Sequence, residues 1–285
     1  METGVKQLSY TYEFDKADVE GIRKCNEEHG FAIVKQLLSP DMVDKLKAEV
    51  LQVLEDETAT RPGITKFATS FIEQSLTLAS LLTYEPYMNI VRHLYGHVPL
   101  TLNRSAAIYK RPGAPVGAWH TDWAPRVHPY SADGLLNTTG AASNWFYLNG
   151  THPDRGGLAI IPDSHTEDWP GPAGFELTEK RKSFYRKGEQ PSDCIDMDFA
   201  EAFPLYSDPG DMIIFAERTY HGVYAHNGTE PRLSCGLSFR PKGQSFEHIW
   251  ELPETARQFI AGCPPEVKPL VEEYVGMDKS WKSSR

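Results

Sequence analysis

Three elements have types and spacing that could do chemistry: His120-Thr121-Asp122, then His221, then Arg232. If 120–122 is strand, residues 120 and 122 point to one face, presenting an imidazole and a carboxylate side by side. A second imidazole from elsewhere would complete a set of two histidines and one carboxylate. Such a set leaves adjacent coordination positions open, as iron oxygenases require. Alone, a His-x-Asp says little in a chain with ten histidines and 39 acidic residues. Its bland reading is a surface histidine beside a turn aspartate.

The stretch 210–239, GDMIIFAERTYHGVYAHNGTEPRLSCGLSF, carries the other candidates. Gly210-Asp211 reads as a turn before an apolar strand from Met212 to Ala216. His221 precedes a further turn at His226-Asn227-Gly228, and Arg232 lies in the next strand. A hairpin would return that strand beside the one carrying His221, with Arg232 deeper in the same pocket. Its guanidinium is a planar fork suited to a carboxylate and stays charged when buried. Ser234, two residues on, shares the face of Arg232 and could donate to the same ligand.

Other elements must position these groups. Lys16 to His29 predicts a helix ending at Gly30, followed by the strand-length apolar run FAIVKQLL. Ser39-Pro40-Asp41 is a helix start, with Ser as cap and Pro at the first helical position. Val43, Leu46, Val50, Val53 and Leu54 follow at helical spacing. Two more helices are expected between Thr69 and Leu82 and between Pro86 and Tyr95. From Val98 to about Arg240, short β-branched and aromatic segments (AAIYK, NWFYL, GLAIIP, DMIIFA, RLSCGLSF) alternate with turn residues. That pattern predicts a barrel or sandwich. Pro162 to Phe203 is polar and rich in Pro and Gly, and reads as a long loop with a short helix, a candidate lid together with the C-terminal tail. The tail after Pro241 reads as helical.

In order, the chain supplies Trp119-His120-Thr121-Asp122, Gly156-Gly157-Leu158 with Pro162-Asp163-Ser164-His165, Gly210-Asp211, His221 and Arg232. With the helix–FAIVKQLL–helix portion before them, these motifs resemble the phytanoyl-CoA dioxygenase (PhyH-like) family of iron(II)/2-oxoglutarate oxygenases, over roughly residues 15 to 240. The resemblance implies a mainly β fold with helical additions. This is a double-stranded β-helix, or jelly-roll, cupin-like barrel, buttressed by N-terminal helices, with 1–285 as one domain. It implies that His120, Asp122 and His221 bind Fe(II). Arg232 would pair with the distal carboxylate of 2-oxoglutarate. Trp145 matches an aromatic near that co-substrate, and Asn103 matches a polar co-substrate contact of some members. The implied reaction consumes O2, releases succinate and CO2, and hydroxylates a C–H bond, with desaturation, epoxidation or ring formation as variants. Asp122 argues against a halogenase, which needs that position vacant. Gly117 and Thr121 stand where many members carry Gln, and Asp163 replaces a usual Gly. None of these is a ligand, but they leave the pocket around the ligands open.

The remaining residues weigh lightly. His128, His152, His165 and His226 are expected in loops or as supports, and His29, His93, His97 and His248 carry no signal. Trp119, Trp123, Arg126 and Tyr220 flank ligands and could be pocket or core. Lys110 and Arg111 could attract an anionic substrate, but a solvated strand end is the favoured reading. The net charge of −10 disfavours nucleic acid and anionic membranes as partners. Four scattered cysteines without a CxxC pair are expected to be free thiols in a cytoplasmic protein. No apolar leader or membrane-length run is present. A small metabolite is the expected substrate, and a monomer or homodimer the expected state. Two other readings stay open: a zinc hydrolase using the same three ligands, which leaves Arg232 unexplained, and a non-catalytic small-molecule-binding barrel.

Overall fold

The computed structural model describes residues 7–56, 59, 61–122, 142–243 and 251–277. Trp123, Arg126, His128 and His248 lie outside them. The strands are β1 (Glu13–Asp15), β2 (Phe31–Lys35), β3 (Thr65–Thr69), β4 (Leu100–Lys110), β5 (Gly117–His120), β6 (Ala142–Tyr147) and β7 (Leu158–Ile160). They continue with β8 (Phe175–Leu177), β9 (Phe184–Arg186), β10 (Phe203–Pro204), β11 (Met212–Ala216), β12 (His221–Val223) and β13 (Arg232–Pro241). The N-terminal helices are α1 (Val19–His29), α2 (Pro40–Leu54), α3 (Leu76–Ser80) and α4 (Glu85–Leu94).

Two sheets form the body, in the order β1-β2-β11-β6-β13-β4-β3 and β10-β7-β12-β5. All pairings in them are antiparallel except β1 with β2. This is a jelly-roll of two layers, without closure into a continuous barrel. Alternation along each strand assigns the faces. Phe31, Ile33, Ile213, Phe215 and Tyr147 of the larger sheet meet Leu158, Ile160 and Phe203 of the smaller one between the layers. Ala32, Val34, Met212, Ile214 and Phe146 point the other way, into a core shared with α1, α2 and α4.

Local chemistry explains the helical buttress. Asp18 caps α1 by accepting from the Gly21 amide, and Gly30 ends it in the left-handed region at φ 78°. Ser39 caps α2 by accepting from Met42, ahead of Pro40. Asp211 is fully buried and accepts from the amides of Gln36 (2.8 Å) and Asp208 (2.8 Å) and from the Lys35 ammonium. The Gly210-Asp211 turn thus ties the exit of β2 to the start of β11.

Pro162 to Phe203 differs from the sequence expectation. It holds no helix; β8 and β9 form a hairpin whose Phe175 and Phe184 pack with Trp119, Ala159 and Ile161 on the outer face of the smaller sheet. The expected helix at the C-terminus is present as Glu254–Gly262 and Lys268–Val271. Among the described residues no helix is long and apolar enough to cross a membrane. All four cysteines are free.

Candidate metal centre and anion cleft

β5 and β12 lie side by side in the smaller sheet, with His120 directly opposite His221. Trp119, Tyr220 and Tyr224 face the outer cluster, so His120 and His221 face the space between the sheets. Asp122 lies just past the end of β5. The ligand atoms of His120, Asp122 and His221 all fall within 4.8 Å of one another. Each Nε2 stands 3.9 Å from Asp122 Oδ1. Each Nδ1 instead faces a backbone carbonyl, of Ala118 at 2.8 Å and of Thr219 at 3.0 Å. Carbonyls only accept, so Nδ1 carries the proton and both Nε2 lone pairs are free to coordinate.

The electrostatics favour the coordinating protonation state. Burial, then the neighbouring His120, pushes the His221 imidazole down to about 4, so it is neutral near pH 7. Burial alone would raise the Asp122 carboxyl, but His221, His120, Arg104 and Lys182 together hold it below the usual range. Ser143 Oγ also donates to Asp122 Oδ2, at 3.4 Å. Arg104 is itself paired with buried Glu217, at 2.7 Å. Two imidazoles with free Nε2 lone pairs and a carboxylate, mutually close, fit a divalent transition metal.

Supports come from segments the motifs only hinted at. Ser164 Oγ accepts from the Tyr220 amide at 2.9 Å, and His165 meets the Glu27 carbonyl at 2.9 Å. The β8–β9 turn adds a clasp on the ligand strands. Ser183 Oγ donates to Trp119 O at 2.6 Å, the Thr121 amide donates to Lys182 O at 2.9 Å, and Tyr220 OH donates to Arg181 O at 2.5 Å.

Arg232 reaches the cleft by a route the sequence did not suggest. β13 does not return beside β12; it enters the larger sheet between β4 and β6, while β12 pairs with β5 and β7. The chain crosses from one layer to the other after His226, so Arg232 belongs to the wall opposite the histidines. It is 3% exposed, donates to Gly156 O at 2.6 Å, and lies over the Tyr147 ring with Cζ 5.1 Å from the centroid. Among the described residues no carboxylate pairs with it, and its Nε and Ser234 Oγ are buried without partners. Lys110 stands opposite Arg232 in the register and is equally buried, not a solvated strand end. Its Nζ donates to Pro115 O (3.0 Å) and Tyr224 O (2.9 Å). Burial, then Arg232, pushes its ammonium down to about 7. A buried guanidinium beside a buried amine that gains its proton near pH 7, with no carboxylate partner among the described residues, suits the binding of an anion.

The phytanoyl-CoA dioxygenase (PhyH) family model matches residues 26–234. The chain belongs to the phytanoyl-CoA dioxygenase family. It is 25% identical over 230 residues to the dioxygenase trt7 of Aspergillus terreus, covering 75% of this chain and 71% of that one. HygX from Streptomyces hygroscopicus, solved with nickel and 2-oxoglutarate bound, aligns with TM-score 0.60 at 16% identity, over 78% of this chain and 87% of that one. The epimerase SnoN, solved with Fe3+, alpha ketoglutarate and nogalamycin RO, aligns with TM-score 0.56 at 20% identity, over 78% of this chain and 83% of that one. At these identities the structural likeness speaks to the fold.

Within this family fold the remaining predicted residues fall as follows. Trp145, on the inner face of β6, lines a cavity of about 190 Å³ together with Asp122, Ser143, Arg104 and Ser238. Its ring lies against Gly236, where a Cβ would come within 2.8 Å of Trp145 Cδ2. Asn103 sits beside the irregularity in β4–β13 pairing, its amide donating to Ser238 Oγ at 3.4 Å. Ser143 and Tyr147 were not singled out from sequence as site residues, and Lys110 was weighed as an anion-attracting residue and set aside for a solvated strand end. Ser143 and Tyr147 share the face of Trp145 by strand alternation, which is the signal that could have found them.

Proposed function

We propose that this chain is an iron(II)- and 2-oxoglutarate-dependent dioxygenase that hydroxylates a C–H bond of a small-molecule substrate, with succinate and CO2 as co-products. The observation that carries the reading is the opposition across one cleft of a His-Asp-His cluster and a buried, carboxylate-free Arg232. A zinc hydrolase would use the cluster and leave Arg232 without a role. The ligand types suit Fe(II), and relatives solved with nickel or Fe3+ and the 2-oxo acid support the same pairing. When bound, iron supplies oxygen activation and chelation of the 2-oxo acid.

The chain's own groups do the placing. His120 and His221 offer Nε2 because their Nδ1 protons are committed to backbone carbonyls. Asp122 supplies the anionic ligand, with Ser143 against its other oxygen. Arg232, on the opposite wall, takes the distal carboxylate, and Ser234 on the same strand face adds a hydroxyl. The cavity of about 190 Å³, walled by Thr69, Arg104, Trp145, Ser238 and the C-terminal Tyr274 and Met277, receives the substrate beside Asp122. Relatives solved with hygromycin B or nogalamycin RO support a small-molecule substrate. One relative is an epimerase and another a carbocyclase, so the outcome depends on how the substrate lies in the cavity.

Anaerobic addition of Fe(II) and 2-oxoglutarate tests this reading, through the visible absorption of the chelated 2-oxo acid. The band is expected to need both components and to be lost in His221→Ala. A substrate panel scored for succinate then follows. Absence of any band with metal-loaded protein would sink the proposal.

A further inference from the structure

Three neighbouring strands of the larger sheet give the substrate cavity its floor. Arg104 and Ala106 of β4, Gly236 and Ser238 of β13, and Ser143 and Trp145 of β6 are alternate residues of paired strands, so they share one face. A sheet face by itself is an open floor. A segment from far along the chain turns this one into a cavity, where Tyr274, Gly276 and Met277 stand against it. They lie beyond residues 26–234, which the family model matches, so family membership does not account for them.

The segment is fastened at two points. Arg240, 4% exposed, donates to Glu273 O at 2.6 Å, and the Gly243 amide donates to the Glu273 carboxylate at 2.9 Å. Tyr274 OH donates to Glu73 Oε1 at 2.9 Å, and the hydroxyls of Ser70 and Ser105 reach the same phenol. Gly276 then turns the chain at φ 59°, where a Cβ would come within 2.9 Å of Ala256 Cβ. Core packing accounts for the Tyr274 ring, which meets Phe259 at 5.8 Å, but not for these polar ties. A segment tied by buried hydrogen bonds is in place before any substrate arrives, so the cavity keeps its size. That size is about 190 Å³, below the roughly 300–1,000 Å³ of pockets that hold drug-sized ligands. The lining mixes Trp145 and Met277 with Thr69, Ser238 and Arg104, whose guanidinium is held by buried Glu217 at 2.7 Å.

We infer that residues 273–277 are the specificity wall of this cavity, confining the chain to compact, oxygen-rich metabolites and excluding acyl-CoA thioesters and fused-ring terpenoids. This rests on the proposed function and narrows its substrate. Arg104 and the hydroxyl-bearing residues meet the oxygens of such a molecule, and Trp145 and Met277 cover its carbon face.

Met277→Ala shortens the wall and leaves both fastenings in place. Parent and variant, supplied with Fe(II), 2-oxoglutarate and O2, are given compact hydroxy acids, amino acids and polyols, then acyl-CoA thioesters and fused-ring terpenoid acids. Succinate is scored above the substrate-free rate. In the parent, compact members are expected to raise that rate and bulky ones to leave it at background. In Met277→Ala the ratio of bulky to compact turnover should rise about tenfold or more, since a single methylene in a pocket already discriminates by about that factor. A purely structural role for the segment would lower all members together and leave the ratio alone. An unchanged ratio therefore overturns the inference, as does turnover of a bulky member by the parent. A parent that binds 2-oxoglutarate yet answers to no compact member overturns it while leaving the proposed function standing. A parent without the anaerobic 2-oxoglutarate band removes both. Should Met277→Ala lose its fold, Tyr274→Phe, which frees one fastening and keeps the ring, is measured on the same molecules. There a raised ratio supports the wall, and an unchanged one overturns it.

Discussion

At one end of the cleft, the proposed metal end, the candidate ligand atoms of His120, Asp122 and His221 stand within 4.8 Å of one another and one is anionic. At the other end, Arg232 and Lys110 lie buried side by side, with no carboxylate partner among the described residues. The first end is built from the smaller sheet and arranged by backbone carbonyls. The second is built from the larger sheet and arranged by what it lacks. A metal site can be assembled from its own ligands, because lone pairs need only orientation. An anion site must hold uncompensated positive charge until the ligand arrives, so it carries a standing cost in the free protein. Substitutions at the two ends should therefore separate into metal affinity and co-substrate affinity.

The largest expected effect is at the metal end. His120→Ala and His221→Ala should each weaken Fe(II) binding more than about a hundredfold, beyond the range for loss of a supporting residue, and abolish turnover. Asp122→Gly should remove turnover while two histidines hold residual metal. Circular dichroism with metal titration separates this from unfolding. Parent-like metal binding in either histidine variant would break the assignment of that end.

Next comes Arg232. Arg232→Ala should leave metal binding near the parent's and weaken 2-oxoglutarate by roughly 3–5 kcal/mol, a few hundredfold to several thousandfold. Arg232→Lys should recover only part, because an ammonium cannot reproduce the two-pronged contact. Anaerobic titration of the Fe(II)-loaded variants measures both. Unchanged 2-oxoglutarate affinity in Arg232→Ala would erase the contrast between the two ends.

The same contrast marks what was legible in the sequence. The clustering of His120, Asp122 and His221 was readable because its signals are local: His120 and Asp122 are two apart at a strand end, and the Gly210-Asp211 turn announces the strand before His221. The sandwich was readable from short β-branched and aromatic segments between turns, but not which residues of β2 and β11 face which layer, because both strands are apolar almost throughout. The route to Arg232 was not. His226-Asn227-Gly228 looks like a hairpin turn, but all ten residues of β13 are buried. Its ten residues need neighbours on both edges and cover on both faces, and β13 finds these between β4 and β6 of the larger sheet. Lys110 was misread because a lysine at a strand end is normally solvated; its burial depends on Pro115 and Tyr224, which arrive from other segments. The β8–β9 hairpin escaped because each of its strands is three residues long and its meaning lies in Phe175 and Phe184 covering Trp119.

The smallest expected effect concerns Lys110, and its sign can be worked out. Its ammonium is pushed down to about 7, chiefly by burial and then by Arg232. An unfolded lysine keeps its proton up to about 10.4. Between these values the unfolded chain binds a proton that the folded chain has released, so this group makes apo stability rise with pH across that window. Binding of a dicarboxylate beside Arg232 works the other way. The bound anion favours the protonated ammonium, so 2-oxoglutarate binding takes up a proton and weakens as pH rises through about 7. One residue thus drives apo stability up and co-substrate affinity down over the same range. Global loosening of the protein cannot do that, since it would move both together. Lys110→Met should flatten both profiles: the rise in apo unfolding midpoint above pH 7, and the few-fold fall in 2-oxoglutarate affinity between about pH 6 and about pH 9. Thermal unfolding of the apo protein and anaerobic 2-oxoglutarate titrations, each run across that range, provide the check. A 2-oxoglutarate profile identical in parent and Lys110→Met would show that Arg232 carries the positive charge of that end alone.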